Sequence, residues 1–132
     1  KQMTEIPNIT GDQDELIRVF QNLIDNAIKY GEENSPVIIE VFMVTHIPDL
    51  GVKGLAISIF NKGEDIAPEH IPRLTERFYR IDKSRSRELG GTGLGLAIVK
   101  HILVRHRGIL KIESKKGYGS TFIVYLPINN SH

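Results

Sequence analysis

The chain has 132 residues, 40% hydrophobic and 25% charged, which suits one globular domain and excludes a disordered or fibrous protein. Seventeen basic residues against sixteen acidic ones leave a net charge of +1, so neither a nucleic-acid footprint nor a polybasic membrane anchor is expected. With no cysteine, disulfides, thiolate metal sites and thiol nucleophiles are all excluded.

Asp12, followed three residues later by Glu15, opens the first expected helix. Leu16, Val19, Phe20, Leu23, Ile24, Ala27 and Ile28 follow at helical spacing, and Gly31 ends it. At ~100° per residue, Asn22, Asn26 and Lys29 form a polar stripe beside the apolar face, which can be a solvated edge or a ligand-binding face. Val37 to His46 and Leu55 to Phe60 read as strands joined through the turn Pro48-Asp49-Leu50-Gly51. A short helix is expected near Pro68, then a basic loop from Arg77 to Gly91, and a helix from Gly93 to Arg107. Lys83, Arg85 and Arg87 are open to two readings, a solvated loop or an attraction for phosphate or a partner domain. Leu110 and Ile112 alternate with Lys111 and Glu113, and Lys116-Gly117-Tyr118-Gly119 turns the chain into Thr121 to Leu126. This order predicts an α+β, two-layer sandwich, with helices on one face of a mixed, mostly antiparallel sheet. The start at Lys1, without Met or a signal pattern, leads us to expect one domain of a longer protein.

Asn22-Leu23-Ile24-Asp25-Asn26-Ala27-Ile28-Lys29-Tyr30 resembles the N box of the ATP-binding catalytic domains of bacterial sensor histidine kinases. Gly91-Thr92-Gly93-Leu94-Gly95-Leu96, running into a helix, resembles the G2 box, where glycines free backbone N–H groups for phosphate at a helix start. No Gly-Lys-Ser/Thr follows it and no β-α-β unit surrounds it, so it is neither a Walker loop nor a Rossmann fingerprint. Glu76-Arg77-Phe78-Tyr79-Arg80 is similar to the F box, and Gly117-Tyr118-Gly119-Ser120-Thr121 to the closing G3 segment, so the likeness runs from Gly11 to Pro127.

The resemblance implies ATP and Mg²⁺ as ligands and a mobile ATP lid anchored by Phe78. Asn26 would be the metal ligand, Asn22 would orient phosphate oxygens or the metal's waters, and Lys29 and Arg80 would neutralise phosphate charge. Asn22, Lys29 and Arg80 are thereby the candidate catalytic residues. Tyr30, Asn61, Gly63, Asp65, Ile66, Tyr79, Gly91 to Gly95, Leu96 and Thr121 complete the expected nucleotide contacts. None of His46, His70, His101, His106 and His132 stands in a His-Glu-x-x-Thr-Pro setting, so the phosphoacceptor is expected on a separate dimerisation domain of the parent protein. A carboxylate beside that histidine would act as its base, and a response regulator would be the partner of the whole kinase. The domain is expected in the cytoplasm, within a membrane-bound sensor. His101 and His106 read as surface or packing residues.

Gyrase-type ATP hydrolases carry a Glu one turn before the second Asn of the box. Asn22 stands there and cannot act as a base, so hydrolysis should be slow. Anti-sigma-factor serine kinases lack the Arg-Phe-Tyr-Arg segment. The family pattern breaks at Asn61-Lys62-Gly63-Glu64-Asp65, where Asp-x-Gly-x-Gly is usual. An amide then replaces the carboxylate that accepts the adenine amino group, and Asp65 replaces a glycine, so adenine affinity should fall. A degenerate docking or allosteric module is the alternative that this break leaves open.

Overall fold

A computed structural model describes residues 11–31, 35–63, 66, 68–76, 95–115 and 117–128, with Lys29 and Tyr30 described in their backbone only. Helix α1 spans Gln13–Tyr30, and Asp12 caps it by accepting the Glu15 backbone N–H on Oδ1 at 3.0 Å. Asp14 and Glu15 lie in its first turn, where negative charge meets the positive end of the helix dipole. Val19, Leu23 and Ala27 are buried in the core, as their spacing predicts.

Strands β1 (Val37–Val44) and β2 (Gly54–Asn61) form the first hairpin. Its connecting turn is closed by hydrogen bonds, the Ile47 carbonyl accepting the N–H groups of Leu50 and Gly51 and the Ile47 N–H donating to the Val52 carbonyl. A single 3-10 turn, Ile71–Arg73, stands where a short helix was expected. Helix α2 covers Gly95–Arg105 and buries Val99, Ile102 and Leu103; the expected first turn from Gly93 lies outside the described residues. Strands β3 (Ile109–Lys115) and β4 (Gly119–Pro127) make the second hairpin through Gly117, at φ 85°.

The sheet order is β1-β2-β4-β3, and every pairing among the described strands is antiparallel. No parallel pair occurs among the described residues, so the mixed component of the expected sheet has no counterpart there: two hairpins meet side by side through β2 and β4. Strand alternation sends Leu55, Ile57, Ile59, Phe122, Val124 and Leu126 towards the helices. Ala56, Ile123 and Tyr125 face the other way, and Ile47 from the first hairpin's turn folds back onto them. No helix among the described residues is long and apolar enough to cross a membrane.

Candidate functional site

The two helices run antiparallel, tied at one end by contacts between the start of α1 and the end of α2. Arg105 Nη1 meets Glu15 Oε2 at 2.7 Å. His106 Nε2 accepts the Asp12 backbone N–H at 2.9 Å, while its Nδ1 lies 2.8 Å from the Ile102 carbonyl, so the neutral ring donates through Nδ1. The packing role read for His106 is thus specific: it joins the entry of α1 to the exit of α2. His101 is exposed.

That tie sets the level of everything further along. Gly95 is ten residues back from Arg105, and Asp25 is ten residues on from Glu15. At about 1.5 Å per residue both lie ~15 Å from the tie, which brings Asn26 close to level with the start of α2. The N box and the helix that follows the glycine-rich stretch therefore approach one another through antiparallel packing. Asn22 and Asn26 are half-buried on the α1 flank that turns towards α2. Asn22 Nδ2 is buried and has no hydrogen-bond partner among the described residues. A buried donor left unpaired costs about 1–3 kcal/mol, so this amide is poised for an acceptor that the described residues do not supply.

The third wall is the end of the central strand pair. Asn61, on β2, lies opposite Ser120, on β4, and both are buried, at 5% and 3% exposure. Each continues the helix-facing alternation of its strand. Gly31, at the end of α1, bridges to Gly63, and a Cβ on Gly31 would come within 3.5 Å of the Asn61 Cβ. Close approach at these glycines lets the end of α1 abut the loop that leaves β2. Ile66 packs on the core, and its N–H donates to Ser114 Oγ at 2.6 Å. Leu96 packs on the same core from α2.

Asn22, Asn26, Asn61, Gly63, Ile66, Gly95 and Leu96 are accordingly brought around one end of the fold. Lys29 and Tyr30 occupy the last turn of α1, with side chains outside the described residues. Asp65, Tyr79, Arg80, Gly91, Thr92, Gly93 and Leu94 lie outside the described residues altogether, as do Lys83, Arg85 and Arg87. Thr121 is not brought to this group. It pairs with Phe60 and Glu113 on the sheet face away from the helices, and its neighbour Ser120 takes the inward position. Sequence reasoning missed Ser120 and Ser114, although the inward run of Phe122, Val124 and Leu126, counted back by twos, leads to Ser120.

Among the described residues no three His, Asp or Glu side chains gather as a metal cage. A cation at Asn26 would therefore take further oxygen ligands from bound phosphate, which suits Mg²⁺, a hard ion that keeps to oxygen and is often held by few protein ligands.

A family model described as "Histidine kinase-, DNA gyrase B-, and HSP90-like ATPase" matches residues 11–130. The phosphate regulon sensor protein PhoR of Pseudomonas aeruginosa is 46% identical over 114 residues, covering 86% of this chain and 24% of that protein. The chain thus spans about a quarter of the length of this relative. The mycobacterial sensor histidine kinase MprB superposes with a TM-score of 0.75 at 27% identity, covering 92% of this chain and 75% of that one. Full-length ShkA, solved in complex with AMPPNP, gives 0.77 at 25% identity, over 96% of this chain and 24% of that one.

Proposed function

Because the chain belongs to the family of histidine kinase-, DNA gyrase B- and HSP90-like ATPases, we propose that it is the nucleotide-binding catalytic domain of a sensor histidine kinase, moving the γ-phosphate of ATP to a histidine on a separate dimerisation and phosphoacceptor domain. The observation that carries this reading is the buried Asn22 Nδ2, without a partner among the described residues, beside Asn26 and at the same end of the fold as Asn61. Two carboxamides on one helix flank and a buried amide at the strand end can address the two ends of one ligand, a polyphosphate and a purine. The bound triphosphate analogue in the ShkA structure supports the same assignment.

In this reading, Asn22 donates to phosphate oxygen through Nδ2, which relieves its unpaired state. Asn26 turns its amide oxygen to the Mg²⁺ that accompanies the nucleotide. That ion supplies charge neutralisation on the phosphates. Lys29 and Arg80 would add positive charge for the γ-phosphate, and the N–H groups of Gly91 to Gly95 would bind the phosphates, roles carried over from the family motifs. Asn61 accepts the adenine amino group through its side-chain oxygen, with Gly63, Ile66 and Leu96 beside the base, while Tyr30 and Tyr79 would be assigned there by the family motifs alone. The incoming histidine nitrogen forms a bond to Pγ as the bond to the bridging oxygen breaks, and ADP leaves. Little covalent work falls on the domain, whose contribution is positioning and charge. A carboxylate beside the acceptor histidine takes its proton, and the phosphoryl group then passes to a response regulator.

The test uses ATP labelled at the γ-position, Mg²⁺ and the phosphoacceptor domain of the parent protein. Label should enter that domain as an acid-labile, alkali-stable phosphoramidate. Stable phosphoserine, or release of free phosphate with no labelled acceptor, would contradict the histidine kinase assignment.

A further inference from the structure

Ser114, Ser120 and Asn61 occupy neighbouring positions across β3, β4 and β2, all on the helix side of the sheet. The Ser114 hydroxyl accepts the Ile66 N–H at 2.6 Å, and it lies 3.3 Å from Ser120 Oγ and 3.4 Å from the Gly119 carbonyl. A serine hydroxyl has two lone pairs and one proton. With one lone pair taken by Ile66, the proton goes to Ser120 or Gly119, both of which lie beside Asn61. Ser114 therefore fastens the far end of the loop that begins at Asn61 to the strand that flanks Asn61. The near end is fastened independently, by the bridge between Gly63 and Gly31. The fastening at Ile66 comes directly after Asp65, the residue that replaces a glycine of the family pattern.

We infer that Ser114, which lies on none of the segments that carry the nucleotide motifs, is a positioning residue for adenine reading, holding Ile66 against the sheet beside Ser120 so that Asn61 is placed to meet the base. The inference rests on the nucleotide-binding reading above. A hydroxyl that acts this way governs the base end of the ligand and leaves the phosphate end alone.

The experiment compares the parent domain with Ser114→Ala and Ser114→Thr by calorimetry, using ATP and inorganic tripolyphosphate, each with Mg²⁺. Ser114→Ala should weaken ATP about fivefold to tenfold, the scale set by leaving the Ile66 N–H without its partner, with tripolyphosphate unchanged. Ser114→Thr keeps the hydroxyl and should restore ATP. A double-mutant cycle adds Asn61→Asp, which should tighten ATP about threefold to tenfold in the parent, as a charged acceptor replaces a neutral one, and give no gain beside Ser114→Ala. If Ser114→Ala does not fold, Ser114→Cys, a weaker acceptor of similar size, takes its place in every comparison. Unchanged ATP affinity, equal weakening of ATP and tripolyphosphate, or an Asn61→Asp gain that survives without the hydroxyl would overturn the role of Ser114. So would an absence of gain from Asn61→Asp with Ser114 intact. A parent that binds tripolyphosphate and ATP equally, or neither, would overturn the nucleotide reading itself and this inference with it.

Discussion

Asn26→Ala should lose Mg²⁺-supported ATP binding while keeping its fold. The side chain is half-buried on the flank of α1 and does not belong to the packed cluster of Val19, Leu23 and Ala27, so its removal opens no cavity in the core. What it removes is the helix's oxygen ligand for a hard cation. Interactions with charged partners are worth about 1.5–3 kcal/mol, or roughly 10- to 150-fold in affinity. Thermal unfolding should stay within about 0.5–1 kcal/mol of the parent. Calorimetry with and without Mg²⁺ checks both halves: in the variant the metal should no longer improve ATP binding. A variant that binds Mg·ATP like the parent would remove Asn26 from the site.

Gly119→Ala is expected to damage stability and nucleotide binding together. Gly119 sits at φ 135°, and a Cβ there would lie 2.2 Å from the Asn61 carbonyl oxygen and 2.9 Å from the Lys62 Cα. Both obstacles are backbone, which cannot swing aside as a side-chain tip can. Backbone strain and overpacking each cost roughly 1–3 kcal/mol, so a loss of about 2–5 kcal/mol is expected, with β4 pushed away from the Asn61 end of β2. Gly117→Ala supplies the contrast. Its φ is 85°, but its Cβ would meet nothing within 4 Å, so only the backbone term of about 1 kcal/mol applies. Urea unfolding of the two variants separates a demand for close approach from a demand for a left-handed turn. Equal losses would mean that the closeness of Gly119 to Asn61 is not what holds that end of the site together.

Much of this arrangement was legible in the sequence because local rules act on it without competition. Asp12 and Gly31 bound α1, its apolar spacing set the buried face, and the polar stripe beside that face emerged with the same periodicity. The two hairpins followed from alternation and turn residues. Less legible was what depends on neighbours distant in the chain. Nothing local says that His106 accepts from Asp12, or that Ser114 receives the Ile66 N–H, since these contacts span 94 and 48 positions. Thr121 shows the other limit. A motif match carries a short window as a block, whereas a strand turns successive residues to opposite faces, so one position of error moves a residue from the site to the far side of the sheet. That Asn22 Nδ2 is buried without a partner among the described residues also had to be seen in three dimensions, because a polar residue on a helix flank is as easily solvated as waiting for a ligand.

The central claim is that one end of this fold binds a magnesium nucleotide, and a titration of the folded domain with ATP, in Mg²⁺ and then in a chelator, tests it most directly. The expected result is saturable heat in Mg²⁺ that weakens about tenfold or more when the metal is removed. No heat and no thermal shift at millimolar nucleotide would contradict it, and would leave the chain as a docking module that has kept the fold of its family without the ligand.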